Sequence, residues 1–479
     1  MRFARPAPSF IVVVLVLGFI DRGDARQPAA GTAAAPRIEL AYADAKPIIE
    51  TLREDFLPAE LRAKSAADRE ASWPGWVSRH DREIRARLDR GDEDSVVNLL
   101  LFGITFTKRP RVTEKDAPPP GQSGALVDSA LVQGRLTDLV AAVAAPGAND
   151  RLLFVRQVAE RDGLDPATAA GRDGLRRRIA DNLRRVLTEN DAYAQTKLAG
   201  QAQGGPATAV QESTFFRDRG LSSDTSIFPG LAIDQALGAL KANGILQPGT
   251  VRRVAIVGPG LDFADKRDGY DFYPQQTLQP FAVIDSLLRM GLSPPGLPAM
   301  TTFDVSGRVN QHLQAARARA HSGEPYPINA PRDTAARWNP ELVSFWERFG
   351  DRIGERSLAS APAAAGAVAV RSVRVRPGVV AMIDPQDVNV VLQRLALAPG
   401  DRFDLIVATN VLVYYDVFDQ CLALTSLTRM LRPGGVILSN TEVPVLPHLP
   451  ITRIGYTELA YTDQPNAVDR LVWLQRTHE

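Results

Sequence analysis

A Gly-Pro-Gly turn is the first feature of this chain whose residue types and spacing point to binding chemistry. Gly258 and Gly260 directly follow an apolar run of strand length, 254–257. Such a run is typical of a strand buried on both faces of a parallel sheet. Glycines at its carboxyl end allow a ligand to approach the backbone, as nucleotide-like cofactors do in α/β proteins. A glycine turn is also common where nothing binds, so the turn alone does not assign a function.

An acidic residue ends the next apolar strand of the sequence. Residues 300–304 predict a strand that ends in Asp304, and a helical pattern begins after Ser306 and Gly307. A carboxylate at the tip of a neighbouring strand can accept hydrogen bonds from both hydroxyls of a ribose, whichever adenosine-containing cofactor is bound. The alternative is structural, because Asp304 could instead cap the helix that begins near Arg308. In either case we expect the strand tip to be accessible to solvent.

Composition argues against several classes of site. The chain has 479 residues, 45% of them apolar, and a formal net charge of +1. This length suits two or three domains, and the balanced charge gives no overall argument for binding nucleic acid or an anionic membrane. A single cysteine, Cys421, excludes an intramolecular disulfide. Five scattered histidines without CxxC or HExxH spacing make a zinc site improbable, so we predict no metal site.

The amino terminus has the features of a secretory signal. Arg2 and Arg5 precede the apolar or small residues 10–20, and small residues at 23–25 offer a cleavage site. The apolar run is shorter than the roughly 20 residues of a comfortable membrane span, although a retained, tilted anchor is an alternative. Residues 1–25 are therefore predicted to be a signal peptide or membrane anchor. The protein would then be exported or membrane-anchored, or cytoplasmic if the signal does not operate.

Shifts in composition divide the rest of the chain. Residues 37–199 follow a mostly helical pattern and predict a helical domain. A flexible linker is predicted over 200–212, which begins GQAQGGPATA. The remaining residues, 213–479, carry the glycine turn. Strands and helices alternate in this last part, which predicts a doubly wound α/β sheet.

The stretch from Phe403 to Asn440 is the most informative one. It begins FDLIVATNVLVYYD and continues through an apolar helix and an Arg-Pro-Gly-Gly turn into a further strand at 436–439. This stretch resembles the fourth and fifth strands of class I S-adenosylmethionine-dependent methyltransferases, and its first segment is similar to that of chemotaxis-receptor methyltransferases. With VAIVGPG as first motif and TTFDVSG as second strand, the resemblance covers roughly 251–479.

The resemblance implies a Rossmann-like methyltransferase sheet that ends in an antiparallel hairpin and follows the helical domain. Two strand-like runs, 453–463 and 469–476, are joined by the turn-forming QPNAV and fit that hairpin. A nicotinamide dinucleotide enzyme would instead continue with parallel units. Its fingerprint would also need glycine where this chain has Phe263.

The resemblance further implies a site for S-adenosylmethionine. The residues that would contact this cofactor are Gly258, Gly260, Asp262, Asp304, Asp387 and Asn410. Asp387 would be the acid on the adenine side of the cofactor, with Asp384 as the alternative. The family normally has an acid two positions before the first glycine, and this chain has Ile256 there. Asp262 is the residue that could replace the missing contact.

The chemistry implied is attack by a nucleophile on the methyl group of a sulfonium, with a thioether as leaving group. The cofactor supplies the activated group, so the protein mainly positions the reactants and excludes water. No catalytic residue is assigned, and the methyl acceptor is unidentified. The sequence shows no Asn-Pro-Pro-Tyr type signature and no basic groove for nucleic acid, and it does not predict an oligomeric state. Pocket candidates are Tyr273, Tyr414, Tyr415 and Glu442.

A second hypothesis is a non-catalytic binding or scaffold protein on the methyltransferase fold. Ile256 favours it, because one polar contact to the cofactor is missing. The export signal favours it as well, since the methyl donor is made in the cytoplasm and an exported enzyme would lack it. Calorimetry with S-adenosylhomocysteine is the cheapest test, because no detectable binding at millimolar ligand would exclude the enzyme.

Overall fold

The computed structural model of the protein describes residues 35–116, 124–203, 220–264, 270–462 and 468–478. Arg37–Glu479 form one compact unit that contains both the helical residues and the sheet. The predicted signal, 1–25, lies outside the described residues. A helix extends to Gln203, and the rest of the predicted linker also lies outside the described residues. The division into a helical and a methyltransferase-like domain therefore stays a prediction.

Helices dominate the first half of the described chain, and strands alternate with helices in the second half. The α-helices are α1 Tyr42–Thr51, α2 Ala59–Arg62, α3 Ala66–Phe102, α4 Gly124–Val127, α5 Ala130–Ala144, α6 Asp150–Arg161, α7 Ala169–Gln203, α8 Phe228–Ala242, α9 Gln279–Met290, α10 Gly307–His321, α11 Pro340–Arg348, α12 Pro377–Ala381 and α13 Val417–Met430. The strands are β1 Arg37–Glu39, β2 Arg253–Val257, β3 Ala299–Asp304, β4 Tyr326–Asp333, β5 Gly354–Ser357, β6 Val368–Val375, β7 Ile383–Asp387, β8 Gln393–Leu395, β9 Phe403–Ala408, β10 Leu431–Ser439, β11 Ile451–Ala460 and β12 Val468–Arg476.

The central sheet has seven strands in the order β11-β12-β10-β9-β2-β3-β7. β2 pairs in parallel with β3 and β9, and the parallel pairing continues from β3 to β7 and from β9 to β10. β12 pairs antiparallel with both β10 and β11. The predicted doubly wound sheet with a carboxyl-terminal antiparallel pair is thus confirmed. β4, β5 and β6 form a separate antiparallel sheet in the order β4-β6-β5.

Burial explains why β2 is rich in β-branched residues. Val254, Ala255 and Ile256 are fully buried at the centre of the sheet, where both faces are covered. Ile256 belongs to the main apolar core. The position at which the family normally has an acid therefore offers no polar group to a ligand.

The helical region has its own apolar core, which extends into the sheet region. Leu99 of α3, Leu136 of α5 and Leu183 of α7 pack in this core. Phe263, from the loop that follows β2, is buried in the same cluster. β1, which precedes the helices, also pairs antiparallel with β8. The loop after the glycine turn is therefore held between the sheet and the helical region.

Two kinds of feature are absent from the described residues. No described helix is both long enough and apolar enough to cross a bilayer. Among the same residues, no cluster of at least three His, Cys, Asp or Glu side chains could hold a metal ion.

Candidate functional site

The carboxyl ends of β2, β3, β7 and β9 meet at one edge of the central sheet. Because the order of strands reverses between β2 and β9, a crevice is expected between the loops that follow them. A Cβ added to Gly258, after β2, would lie 2.4 Å from Cγ2 of Val411, after β9, so these loops touch. The Gly258 N–H also donates to the carbonyl of Phe303 in β3, at 2.8 Å. The structure therefore brings the predicted glycine turn to the topological switch point.

Both glycines of the turn adopt left-handed backbone angles. The φ angle is 65° at Gly258 and 64° at Gly260, a region that glycine enters without steric cost. A Cβ on Gly260 would lie 2.7 Å from the carbonyl oxygen of Ser223 and 3.0 Å from Cβ of Thr225. The turn is covered by this segment, since the Leu261 N–H donates to the Ser223 carbonyl at 2.7 Å. Close backbone packing is therefore a reason for glycine here, in addition to any ligand.

Asp304 ends β3, and its carboxylate is enclosed beside the glycine turn. Its Oδ1 accepts the Ser306 N–H at 2.8 Å, and the Gly260 N–H bonds to the same carboxylate. Burial raises the pKa of Asp304 to about 6, although both amides and the charge of Arg308 act in the opposite direction. The strand tip is thus only partly open to solvent, contrary to expectation. The alternative of Asp304 as the helix cap is also wrong, because Ser306 caps α10 by accepting the Val309 N–H.

β7 places Asp387 beside Asp304. The two residues are partners in the parallel pairing of β3 with β7, and each ends its strand. Arg85 of α3 forms an ion pair with Asp387, with 2.8 Å between Nη2 and Oδ1. Asp384 lies earlier in β7 and pairs with Arg317 of α10 at 2.7 Å. The structure therefore brings Asp387, and not Asp384, to the edge where the glycine turn lies.

Asn410 joins the loops that follow β9 and β10. Its φ angle of 58° is left-handed, which is uncommon for a residue other than glycine but tolerated by asparagine. The Asn410 N–H donates to Oδ1 of Asn440 at 2.8 Å, and the Asn440 side chain donates to Oδ1 of Asn410. Asn410 is exposed, so this constrained loop can contact a ligand at the switch point.

Asp262 lies in an internal hydrogen-bond network. It is buried, and its Oδ2 accepts bonds of 2.8 Å from the Tyr273 hydroxyl and from Nε2 of Gln276. Burial and the neighbouring Asp262 charge raise the pKa of Tyr273 well above its usual value, so the phenol keeps its proton. These bonds hold the loop after the glycine turn. A contact from Asp262 to a cofactor that replaces the acid missing at Ile256 stays a prediction.

The other pocket candidates lie in two places. Tyr414 and Tyr415 follow β9 at the site edge, where Nη2 of Arg87 donates to the Tyr414 carbonyl at 2.6 Å. The Arg87 guanidinium lies 5.7 Å from the centre of the Tyr415 ring, and burial raises the pKa of Tyr415. Glu442 is exposed and pairs with Arg453 of β11 at 3.0 Å. Glu442 therefore belongs to the surface of the antiparallel pair.

Residues 80–92 of α3 cover this edge of the sheet, and we call them the α3 roof. Arg85 donates to the Val305 carbonyl after β3, and Asp81 accepts from Nδ2 of Asn389 after β7. Arg87 reaches the loop after β9. The partners in these three contacts are 220 to 327 residues apart in sequence. No local sequence pattern indicates contacts between residues so far apart, so the roof was not predicted from the sequence.

Arg151 of α6 fixes the loop that follows the glycine turn, and this role was not predicted from the sequence either. Its side chain is 1% exposed and donates to the carbonyl of Asp262 at 3.2 Å and to the carbonyls of Phe263 and Tyr273. The Phe263 ring packs edge-on against Phe154, with 5.1 Å between ring centres. Arg151 thus ties the loop to the helical region. An arginine in a helical pattern ordinarily predicts a solvated residue.

A further contact of the α3 roof is an ion pair between His80 and Asp419 of α13. Nε2 of His80 lies 2.8 Å from Oδ1 of Asp419, and the imidazole stacks on Trp76. Burial alone would lower the pKa of His80, but the Asp419 carboxylate outweighs it and raises the pKa to about 9. The imidazole is therefore protonated at neutral pH and holds the roof to α13.

The His80 ion pair predicts a loss of stability at alkaline pH. A histidine whose pKa rises on folding from 6.5 to about 9 stabilises the native state fully below pH 6.5 and stops doing so by pH 9. We expect the difference in unfolding free energy between wild type and His80→Gln to shrink by about 2 to 3 kcal/mol over that range. Urea unfolding at pH 6, 7.5 and 9.5 measures this difference. His321→Gln, at an exposed position of α10, is the control. Parallel pH profiles for wild type and His80→Gln would contradict the prediction.

Several solved structures are similar to part of this chain. The magnesium protoporphyrin IX methyltransferase from Synechocystis with bound SAM is 11% identical, over 52% of this chain and 81% of that chain, with a TM-score of 0.26. The glycopeptide N-methyltransferase MtfA with bound SAM is 13% identical, over 52% and 77%, with a TM-score of 0.21. A mutant of MtNAS is 9% identical, over 73% and 99%, with a TM-score of 0.24. No family model and no curated protein matches the sequence. Identities and TM-scores this low assign no function to this chain. Its function must be inferred from its own sheet topology and site geometry.

Proposed function

We propose that this chain binds S-adenosylmethionine at the carboxyl edge of β2, β3 and β7 and transfers its methyl group to an unidentified acceptor. The observation that carries the proposal is the enclosed carboxylate of Asp304. Two backbone amides hold this group beside the glycine turn, and it forms no ion pair with any described residue. An enclosed carboxylate without a counter-ion is unfavourable, and such groups cluster at functional sites.

The site residues fit the groups that S-adenosylmethionine presents. In this proposal the Asp304 carboxylate accepts hydrogen bonds from both ribose hydroxyls. Asp387, its neighbour on the next strand, accepts a bond from the adenine side. Gly258 and Gly260 let the backbone approach the ligand. Asn410 contacts the amino acid end at the switch point.

The α3 roof gives the helical region a role in this proposal. When bound, the cofactor supplies an activated methyl group, and the protein must orient the acceptor and exclude water. Arg85 and Arg87 connect the roof to the loops around the site, so the roof shields the edge from bulk solvent. A small acceptor that enters beneath α3 fits this arrangement better than a flat macromolecular surface.

Isothermal titration calorimetry with S-adenosylhomocysteine tests the proposal. We expect binding at one site with a dissociation constant on the order of 1 to 100 μM, in the usual range for enzyme ligands. NADH serves as the control nucleotide and should release no heat at the same concentrations. Absence of S-adenosylhomocysteine binding at millimolar ligand would overturn the proposal.

A non-catalytic binding protein on the same fold is the second candidate. Ile256 favours it, because this residue is buried in the apolar core and supplies no polar contact. Incubation with methyl-tritiated S-adenosylmethionine and an extract of the source cells separates the two candidates. Transfer of label that is lost in Asp304→Asn supports the enzyme. Binding of S-adenosylhomocysteine without transfer of label to any fraction supports the binding protein.

We also propose that residues 1–25 export the protein or anchor it to the membrane. Arg2 and Arg5 before an apolar run are the features that support this. The mature chain would then begin near Arg26, or the full-length chain would sediment with membranes. Amino-terminal sequencing after cell fractionation tests both forms. Full-length protein found wholly in the cytosol would contradict export and would remove the main objection to catalysis.

A further inference from the structure

Arg308, near the start of α10, has a guanidinium group that forms no hydrogen bond with any described residue. All three of its nitrogen atoms are enclosed, and none forms a hydrogen bond within the described part of the chain. The nearest ion pair, from Nη2 to Oδ1 of Asp92, spans 3.7 Å and is too long for a hydrogen bond. Enclosed donors are almost always satisfied in folded proteins, and a guanidinium carries five of them. A ligand could therefore accept the hydrogen bonds that the Arg308 guanidinium has to donate.

The surroundings of Arg308 restrict the orientation of its guanidinium. Its central carbon lies 4.2 Å from the centre of the Phe154 ring and 5.6 Å from that of Phe263. Contact with an aromatic face leaves the N–H groups, which lie in the guanidinium plane, free to donate to a planar ligand group. Asp92, the neighbouring carboxylate, also pairs with Arg161 at 3.1 Å. Asp92 therefore has a counter-ion other than Arg308.

Arg308 lies at the candidate cofactor site. Its charge acts on Asp304, yet the two side chains form no ion pair. Phe154 and Asp92 come from α6 and α3, so the guanidinium lies between the helical region and the sheet edge. A carboxylate and a guanidinium that do not satisfy each other can bind different parts of one ligand. Asp304 would accept hydroxyl groups, and Arg308 would donate to an anionic group.

We propose that Arg308 binds the carboxylate of the cofactor's amino acid end. This inference rests on the proposed function, because it assumes that Asp304 holds the ribose of the same ligand. A carboxylate matches the fork of N–H donors and can accept two parallel hydrogen bonds. The assignment also gives the site a second polar contact to the cofactor's amino acid end, where Ile256 supplies none.

Two ligands that differ in the amino acid end test the proposal. S-Adenosylhomocysteine carries the carboxylate, and 5′-methylthioadenosine lacks the whole amino acid part. We expect Arg308→Met to weaken S-adenosylhomocysteine binding about 10- to 150-fold, the usual effect of losing hydrogen bonds to a charged group. Binding of 5′-methylthioadenosine should change less than about 2-fold, since Asp304 and Asp387 are intact. Arg308→Lys keeps the charge but loses the fork of N–H donors. Its affinity for S-adenosylhomocysteine should lie between those of wild type and Arg308→Met, and its affinity for 5′-methylthioadenosine should not change.

Controls separate the failure of this proposal from the failure of the proposed function. Arg319→Met, at an exposed position of the same helix, should leave both affinities unchanged. Equal affinities of wild type and Arg308→Met for S-adenosylhomocysteine would overturn the carboxylate assignment. An equal loss for both ligands would also overturn it and would indicate that Arg308 only supports the fold. If wild type binds neither ligand, the proposed function itself is wrong.

Discussion

Replacing Arg151 by methionine is expected to lower the free energy of unfolding by about 3 to 5 kcal/mol. The guanidinium is 1% exposed and donates to the carbonyls of Asp262, Phe263 and Tyr273. Methionine fills similar space but donates no hydrogen bond, so enclosed carbonyl oxygens lose their partners. Urea denaturation followed by circular dichroism measures the change.

The control for Arg151 lies five residues further along the same helix. Arg156 is on the surface and pairs with Glu160 at 2.8 Å, so Arg156→Met should change stability little. A loss below about 1 kcal/mol for Arg151→Met would contradict the account, because it would mean that the loop does not depend on this residue. Since the loop follows Gly260, Arg151→Met should also weaken S-adenosylhomocysteine binding in whatever fraction remains folded.

Replacing Asp304 by asparagine is expected to weaken S-adenosylhomocysteine binding by about 2 to 4 kcal/mol. The loss corresponds to two charge-assisted hydrogen bonds from the ribose hydroxyls that are not fully additive. Asparagine keeps an oxygen that can accept the Ser306 N–H, so the fold should be preserved. Titration calorimetry at pH 7.5 measures the affinity. Asp384→Asn, which alters the residue that pairs with Arg317 earlier in β7, is the control and should leave the affinity unchanged.

Replacing Asp304 by asparagine should stabilise the empty protein, although the same substitution weakens ligand binding. Its pKa is raised by burial from 3.8 to about 6, so ionisation destabilises the native state as the pH rises through this interval. Above pH 6 the empty Asp304→Asn variant should therefore be more stable than wild type, by at most about 3 kcal/mol, and the difference should vanish below pH 4. Thermal melts at pH 4, 5 and 7.5, with and without S-adenosylhomocysteine, measure both effects. Equal ligand-induced shifts in the two proteins would remove Asp304 from the site.

Local sequence patterns predicted the sheet and its edge correctly. The apolar run before Gly258 and the acid at the end of β3 are short patterns of neighbouring residues. They can be recognised in the sequence because a buried strand requires a continuous apolar run. The carboxyl-terminal hairpin was also predicted, with boundaries that differ by a few residues from β11 and β12. The parallel pairing then places Asp304 and Asp387 side by side, because the carboxyl ends of parallel strands lie at the same edge of the sheet.

The parts of the site that the sequence did not predict depend on tertiary contacts. Arg85 meets Asp387 through the packing of α3 over the sheet, and nothing in the residues around Arg85 indicates that partner. Arg151 and Arg135 are buried and donate to backbone carbonyls, whereas arginine in a helical pattern predicts exposure. The alternative role of Asp304 as the cap of α10 is wrong for a local reason. Asp304 and Ser306 are both residue types that cap helices, and only the backbone geometry distinguishes them.

Hydrogen–deuterium exchange with saturating S-adenosylhomocysteine tests the central claim most directly, because it reports where the ligand acts. We predict slower exchange in the glycine turn at 258–262, in the segment 304–309 from the end of β3 to the start of α10, and in the α3 roof at 80–92. The surface of β11 and β12 serves as the internal control and should exchange as before. Protection confined to other parts of the chain, or no protection in the presence of bound ligand, would contradict a cofactor site at the carboxyl edge beneath α3.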